Sequence, residues 1–213
     1  MRQPITIVHY LDVLSSWSLI SQGALDAVTA EFGDAVSVDW RIALFNDGAP
    51  VGEDSRKWAW YYDRIEAMTG VKLNPSWRES LEDSTLVPNS VAVAARRLGA
   101  TGDAVRLALA RAAMVDGRKV QHRQIALDVA VEASGMAREA LAAALDDPLT
   151  RAELDRTTKE YRTLPVSVVP VFLVSNPLND VALLSGYFQA HTLRAVVAEA
   201  VETMRRYDAF MAR

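Results

Sequence analysis

Ser15 and Ser18 close a four-residue window inside Asp12-Val13-Leu14-Ser15-Ser16-Trp17-Ser18, between an apolar strand-like run and a segment with helical periodicity. A side-chain atom at a helix N-terminus faces unpaired N–H groups and the positive end of the helix dipole, an environment that favours an anion. Sulfur at both positions would make a redox dithiol with a stabilised thiolate. The chain contains no cysteine. It therefore cannot exchange disulfides by its own chemistry, and a working site here must act on a sulfur that a ligand brings. Near the other end of the chain, Pro170 follows Val169 inside a β-branched run. Proline has no N–H to give a central strand, so it either opens an edge strand or forms a cis bond that serves a site.

The elements that must position these residues are legible from periodicity. Ile5 to Leu11 is apolar on both faces, as in a strand buried inside a sheet. Trp17, Ile20, Ala24, Val28 and Phe32 then recur at helical spacing up to a Gly33-Asp34 stop, and Val36 to Leu44 alternates like a strand. Between Pro50 and Tyr161 the sequence reads as helices, over Asp54 to Met68, Asn89 to Leu98, Thr101 to Val115, Gln124 to Ala133 and Ala137 to Leu145. Asp146-Asp147-Pro148 ends the last pair. Strands return at Val168 to Val174 and Val181 to Leu184, and a final helix carries Leu193, Val197, Ala200 and Met204 on one face. The order β-α-β, helices, β-β-α predicts an α/β protein with a thioredoxin-like core, residues 1–48 and 160–213, and a large all-helical insertion, 49–159. In such a core a cis-proline lies opposite the helix N-terminus, where the backbone of the residue before it can pair with a peptide-like ligand.

Composition narrows the partners. With 23 Lys and Arg against 27 Asp and Glu, the formal charge of -4 argues against a nucleic-acid surface. The pairs Arg96-Arg97 and Arg205-Arg206 read as solvated helix faces. No run approaches the ~20 apolar residues of a membrane span, and no basic segment with a long apolar stretch opens the chain. The expectation is a cytoplasmic protein without nucleic-acid or membrane partners. His9, His122 and His191 are too scattered to propose a metal site or a catalytic triad.

The Asp12 to Ser18 segment resembles the active-site element of the DsbA-related superfamily. It is most similar to the glutathione-using branch, the kappa-class glutathione transferases and 2-hydroxychromene-2-carboxylate isomerases, whose motif typically reads Asp-x-x-Ser-Pro-Tyr-Ser. Ala112-Ala113-Met114-Val115-Asp116-Gly117-Arg118 is similar to a helix end in the family's inserted domain, and Val166-Ser167-Val168-Val169-Pro170-Val171-Phe172 resembles its Gly-Val-Pro-x-Phe strand. Ser16 stands where the family has proline, Trp17 where it has tyrosine, and Val168 where the disulfide-exchanging relatives often have glycine.

The resemblance implies a catalytic role for Ser15, whose hydroxyl would donate to a bound thiolate and lower the thiol's pKa. With no evident base beside it, Ser15 would not itself be a nucleophile. The cofactor implied is glutathione or another low-molecular-weight thiol. Val169 and Pro170 would meet its cysteinyl part, Ser185 and Gly186 would begin a helix holding its γ-glutamyl carboxylate, and Asn46 would lie near it. Each has a plainer reading: the serines as helix caps, Ser185-Gly186 as a strand-to-helix turn. Trp17, Trp58 and Tyr62, in a segment that also holds Trp60 and Tyr61, could line a pocket for an aromatic electrophile or simply pack the insertion on the core. Two functions follow. One is a thiol-dependent isomerase or transferase acting on a small electrophile, in a family that allows a homodimer; the other is a redox-dead protein that binds peptides or a partner along the cis-proline edge.

Overall fold

The computed structural model describes residues 3–50, 55–78 and 84–213, with side chains in the second segment from residue 59 onward. Strand β1 (Ile5–Leu11) is central because it is apolar on both faces and can be covered on both. It pairs in parallel with β2 (Val36–Ile42), Ile5 opposite Val36 and Leu11 opposite Ile42. On its other side it pairs antiparallel with β3 (Val171–Ser175), Tyr10 opposite Val171, and β3 pairs antiparallel with β4 (Val181–Ser185). The sheet order is β2-β1-β3-β4.

Helix α1 (Ser16–Phe32) and the last helix, α8 (Ala190–Met211), cover one face, with Leu25, Val28, Leu193 and Val197 packed on Ile5, Ile7, Phe172 and Val174. The other face buries Val8, Tyr10, Val169 and Val171, with Tyr161 and Leu164 against them. Between β2 and β3 the chain makes α2 (Ser55–Thr69), α3 (Leu86–Arg97), α4 (Ala104–Met114), α5 (Arg123–Ser134), α6 (Arg138–Asp146) and α7 (Pro148–Arg162). The core of these helices is continuous with Leu11, Leu14 and Trp17, so the insertion packs directly on the segment that holds Ser15. Among the described residues no helix is long and apolar enough to cross a membrane.

Several boundaries differ from the sequence reading. β3 begins at Val171 rather than Val168, because the Val169–Pro170 bond is cis and proline gives the ladder no N–H. α3 begins at Leu86, which places Asn89 inside the helix rather than at its cap. Asp147-Pro148 ends α6 but also opens α7: the Asp147 carboxylate accepts the Leu149 N–H at 2.8 Å and Pro148 takes the first helical position, where its missing N–H costs nothing. The helix after β4 starts at Ala190, four residues beyond Gly186. Gly117, in the Ala112 to Arg118 motif, holds φ at 73°, and a Cβ there would lie 2.7 Å from the Asn74 side-chain nitrogen, so this turn requires glycine.

Candidate active site

One buried carboxylate shapes the turn that leads from β1 to Ser15. Asp12 Oδ1 accepts the Leu14 N–H at 2.9 Å, while Oδ2 accepts the Phe45 N–H at 3.0 Å and the Thr85 hydroxyl at 2.7 Å. Burial pushes the Asp12 carboxyl up from its ordinary pKa, and these hydrogen bonds oppose that shift. Asn89 completes the clamp: its Oδ1 accepts the Val13 N–H at 2.9 Å and its Nδ2 donates to the Thr85 carbonyl at 2.8 Å. Asp12 is thus a positioning residue that joins the end of β1, the segment after β2 and the start of α3. Thr85 and Asn89 were not singled out by the sequence for this role; the one available signal was an asparagine on the buried face of a helix.

Ser15 is the N-cap of α1. Its backbone is extended (φ -77°, ψ 113°), its N–H donates to the Asp12 carbonyl at 2.9 Å, and its Oγ accepts the Ser18 N–H at 3.2 Å. A hydroxyl that caps by accepting keeps its own proton to donate. No acceptor among the described residues takes that proton. Ser15 is 3 % exposed, so a hydrogen bond it gave would be little diluted by water. Ser18 lies one turn deeper, its Oγ buried without a hydrogen-bond partner among the described residues.

Strand register brings the cis-proline to the same end of the sheet. The β1–β3 pairing ends with Tyr10 opposite Val171, so Pro170, the next residue before β3, lies at the same end of the sheet as Leu11 and Asp12. From the β4 side the loop is tied twice: the Gly186 N–H donates to the Pro170 carbonyl at 2.9 Å and the Ser185 hydroxyl to the Val168 carbonyl at 3.0 Å. These bonds correct the expected position of Ser185 and Gly186 at a helix start. Neither begins the helix, the Gly186 N–H is already used, and the open N–H groups of the first turn belong to α8 from Ala190. Among the described residues nothing bonds to the backbone N–H or C=O of Val169.

The remaining expected residues divide. Trp17 is buried, and its ring centre lies 5.0 Å from that of Tyr187, a site neighbour the sequence did not flag, one residue beyond Gly186. Tyr62 is part of the core beneath: its hydroxyl accepts the Trp77 indole N–H at 2.8 Å, which is packing rather than a pocket wall. The side chain of Trp58 lies outside the described residues. Asn46 is exposed in the turn after β2, with φ 45° and its amide donating to the Pro50 carbonyl at 2.9 Å. Beneath the site, His9 is fully buried and stacked on Phe172 with ring centres 4.2 Å apart, and neither ring nitrogen has a partner among the described residues. Burial, aided by the nearby Arg106 charge, holds its pKa well below the usual imidazole value, so it is neutral at physiological pH. No group of three His, Cys, Asp or Glu among the described residues could hold a metal ion.

A parallel βαβ unit and an antiparallel ββα unit sharing one sheet, with a cis-proline beside a capped helix start and helices between, define a thioredoxin-like fold with a helical insertion. Residues 6–198 match the DSBA-like thioredoxin domain, and the chain belongs to that family. It is a member without cysteine. Its structure is similar to that of a candidate protein disulfide isomerase from Nitrosomonas europaea, with a TM-score of 0.79, 16% identity, and 94% of this chain and 98% of that one covered. It is also similar to the cytosolic disulfide reductase DsbM from Pseudomonas aeruginosa with GSH, at a TM-score of 0.69 and 20% identity over 95% and 98% of the two chains. The oxidoreductase NmDsbA1 from N. meningitidis aligns with a TM-score of 0.59 and 11% identity over 97% and 88%. At these identities the likeness is one of fold. No curated protein sequence matches the chain.

Proposed function

We propose that this cysteine-free DsbA-like protein uses glutathione or another small thiol to isomerise, or to conjugate, a small electrophilic substrate of the aromatic class, with Ser15 stabilising the thiolate. The observation that carries this reading is the state of the Ser15 hydroxyl: nearly buried, accepting as a cap, with its proton uncommitted among the described residues. Donated to a bound sulfur, that proton favours the anion and lowers the thiol's pKa. The Val169 backbone, at the same end of the sheet and without a partner among the described residues, suits the cysteinyl part of a peptide thiol. The GSH in the DsbM structure is further support, from a protein of the same fold.

In the chemistry proposed, the thiolate lone pair forms a C–S bond to the electrophilic carbon and the displaced π electrons move onto the conjugated acceptor. For isomerisation, rotation about the bond made single is followed by return of the electrons and expulsion of the thiolate; for transfer, the adduct takes up a proton and leaves. The protein's contribution is to stabilise the thiolate and hold the electrophile near it.

Calorimetric titration of reduced glutathione, in buffers of different ionisation enthalpy, tests the reading. Binding accompanied by release of up to one proton near neutral pH is expected, because a free thiol there is mostly protonated. Absence of binding overturns glutathione as the thiol, and absence of binding by other small thiols titrated in the same way overturns the reading. The partner-binding alternative rests on Val168, exposed at 54 % next to the unpaired Val169 backbone, and would gain if an extended peptide without a thiol bound there.

A further inference from the structure

Arg64, in α2, is exposed, yet its guanidinium is held on two sides. Its central carbon lies 4.9 Å from the ring centre of Trp17 and 5.5 Å from that of Trp60. Trp17 belongs to the first turn of the helix that Ser15 caps, and its other neighbour, Tyr187, follows the residue bonded to Pro170. The cation therefore sits on an aromatic wall built from both halves of the site.

Among the described residues its charge is left uncompensated. Several other surface arginines reach carboxylates: Arg194 pairs with Glu31, Arg123 with Asp146, and Arg205 and Arg206 with Glu202. Among the described residues no carboxylate pairs with Arg64. An indole face holds a guanidinium without using its N–H groups, which point outward in the plane of the fork. A planar cation fixed in direction, with its donors unused among the described residues, is the geometry that takes a carboxylate through two parallel hydrogen bonds.

We propose that Arg64 is the carboxylate receptor of this site, so that what binds beside Ser15 is an anion. The carboxylate is supplied either by the end of the peptide thiol or by the electrophile itself. The inference rests on the thiol-binding reading for the position of the ligand, and the two can be tested apart.

The probes are reduced glutathione and its glycyl monoethyl ester, then cinnamate and cinnamamide, each titrated by calorimetry into wild type, Arg64→Met and Arg64→Lys. If the thiol peptide supplies the carboxylate, glutathione binding weakens roughly tenfold in Arg64→Met, and the ester binds wild type and variant alike. If the electrophile supplies it, glutathione and its ester bind all three proteins equally, while cinnamate, unlike cinnamamide, weakens by a similar factor in Arg64→Met. Arg64→Lys, which keeps the charge but not the fork, falls between. A merely structural arginine would move acid and neutral probe together. The proposal is overturned if both acids bind wild type and Arg64→Met equally, if acid and neutral probe weaken together, or if neither acid binds wild type. Arg64-dependent cinnamate binding without glutathione binding keeps the receptor and removes glutathione as the thiol; glutathione binding indifferent to both changes, with cinnamate also indifferent, removes the receptor alone.

Discussion

Replacing Ser15 by alanine removes two things, the cap of α1 and the free hydroxyl proton, and the structure allows them to be separated. The cap is a single 3.2 Å bond from the Ser18 N–H, and losing a serine N-cap costs about 1 kcal/mol. A hydrogen bond to a charged acceptor contributes about 1.5–3 kcal/mol. At about 1.4 kcal/mol per unit, that is a rise of about one to two units in the pKa of the bound thiol. Glycine at an N-cap is worse than serine by only a few tenths of a kcal/mol, so Ser15→Gly should preserve the helix while abolishing the donor. The assay is the ultraviolet absorbance of the thiolate of bound glutathione, followed through a pH titration, alongside thermal melts of each protein. Ser15→Ala should melt below wild type and Ser15→Gly close to it, while both raise the bound thiol's pKa equally. A wild-type thiol pKa in Ser15→Gly would refute the donor role, whatever the melts show.

Two buried groups give pH dependences of opposite sign. Asp12 has a raised pKa in the folded state, so its contribution to stability is full below the ordinary carboxylate value and is lost as pH rises through the raised one. Asp12→Asn should abolish that dependence and, having one oxygen for the Leu14, Phe45 and Thr85 donors, lower neutral-pH stability by about 1–3 kcal/mol, as read from denaturant midpoints. His9 has a lowered pKa, so its contribution is full above the ordinary imidazole value and is lost as pH falls from there through the lowered one. His9→Phe, which keeps a ring against Phe172, should flatten stability over that window; an unchanged acid-side loss would assign it to another group.

How much could be read in advance depended on the range of the interaction. Ile5 to Leu11 and Val36 to Ile42 were legible because burial on one or both faces leaves a direct mark on the pattern of apolar residues. Pro170 was legible because a proline in a β-branched run has few places to go, and the cis bond is one of them. Ser15 as a cap followed from its type and position alone. The errors came where a residue's partner is remote. Asn89 has the composition of a cap but bonds to Val13, 76 positions away. Asp12 receives donors from Phe45 and Thr85, which no local pattern relates to it. Ser185 and Gly186 are the residue types of a helix start, yet their groups are drawn instead to Val168 and Pro170 by strand register. Asp147-Pro148 carried two meanings, a stop and a start, and only the first was read.

The sheet order also dictates when the two halves of the site can meet. β1 gains its parallel partner as soon as residue 42 is made, but Thr6 pairs with Ser175, so its other edge waits until the whole insertion has been synthesised. This is a contact of very high order, closed late and at an entropic cost that the prior folding of α2–α7 would reduce by shortening the effective loop. During that interval Ile-Thr-Ile-Val-His-Tyr-Leu presents an open edge of unpaired N–H and C=O groups, the kind of template on which nascent chains pair wrongly. The helices between β2 and β3 begin packing on Leu14 and Trp17 from the same end of that strand. Ser15 can thus be seated while the ribosome is still working, whereas the cis-proline loop, and then the Ser185 to Tyr187 segment that ties it and packs on Trp17, arrive only after the insertion.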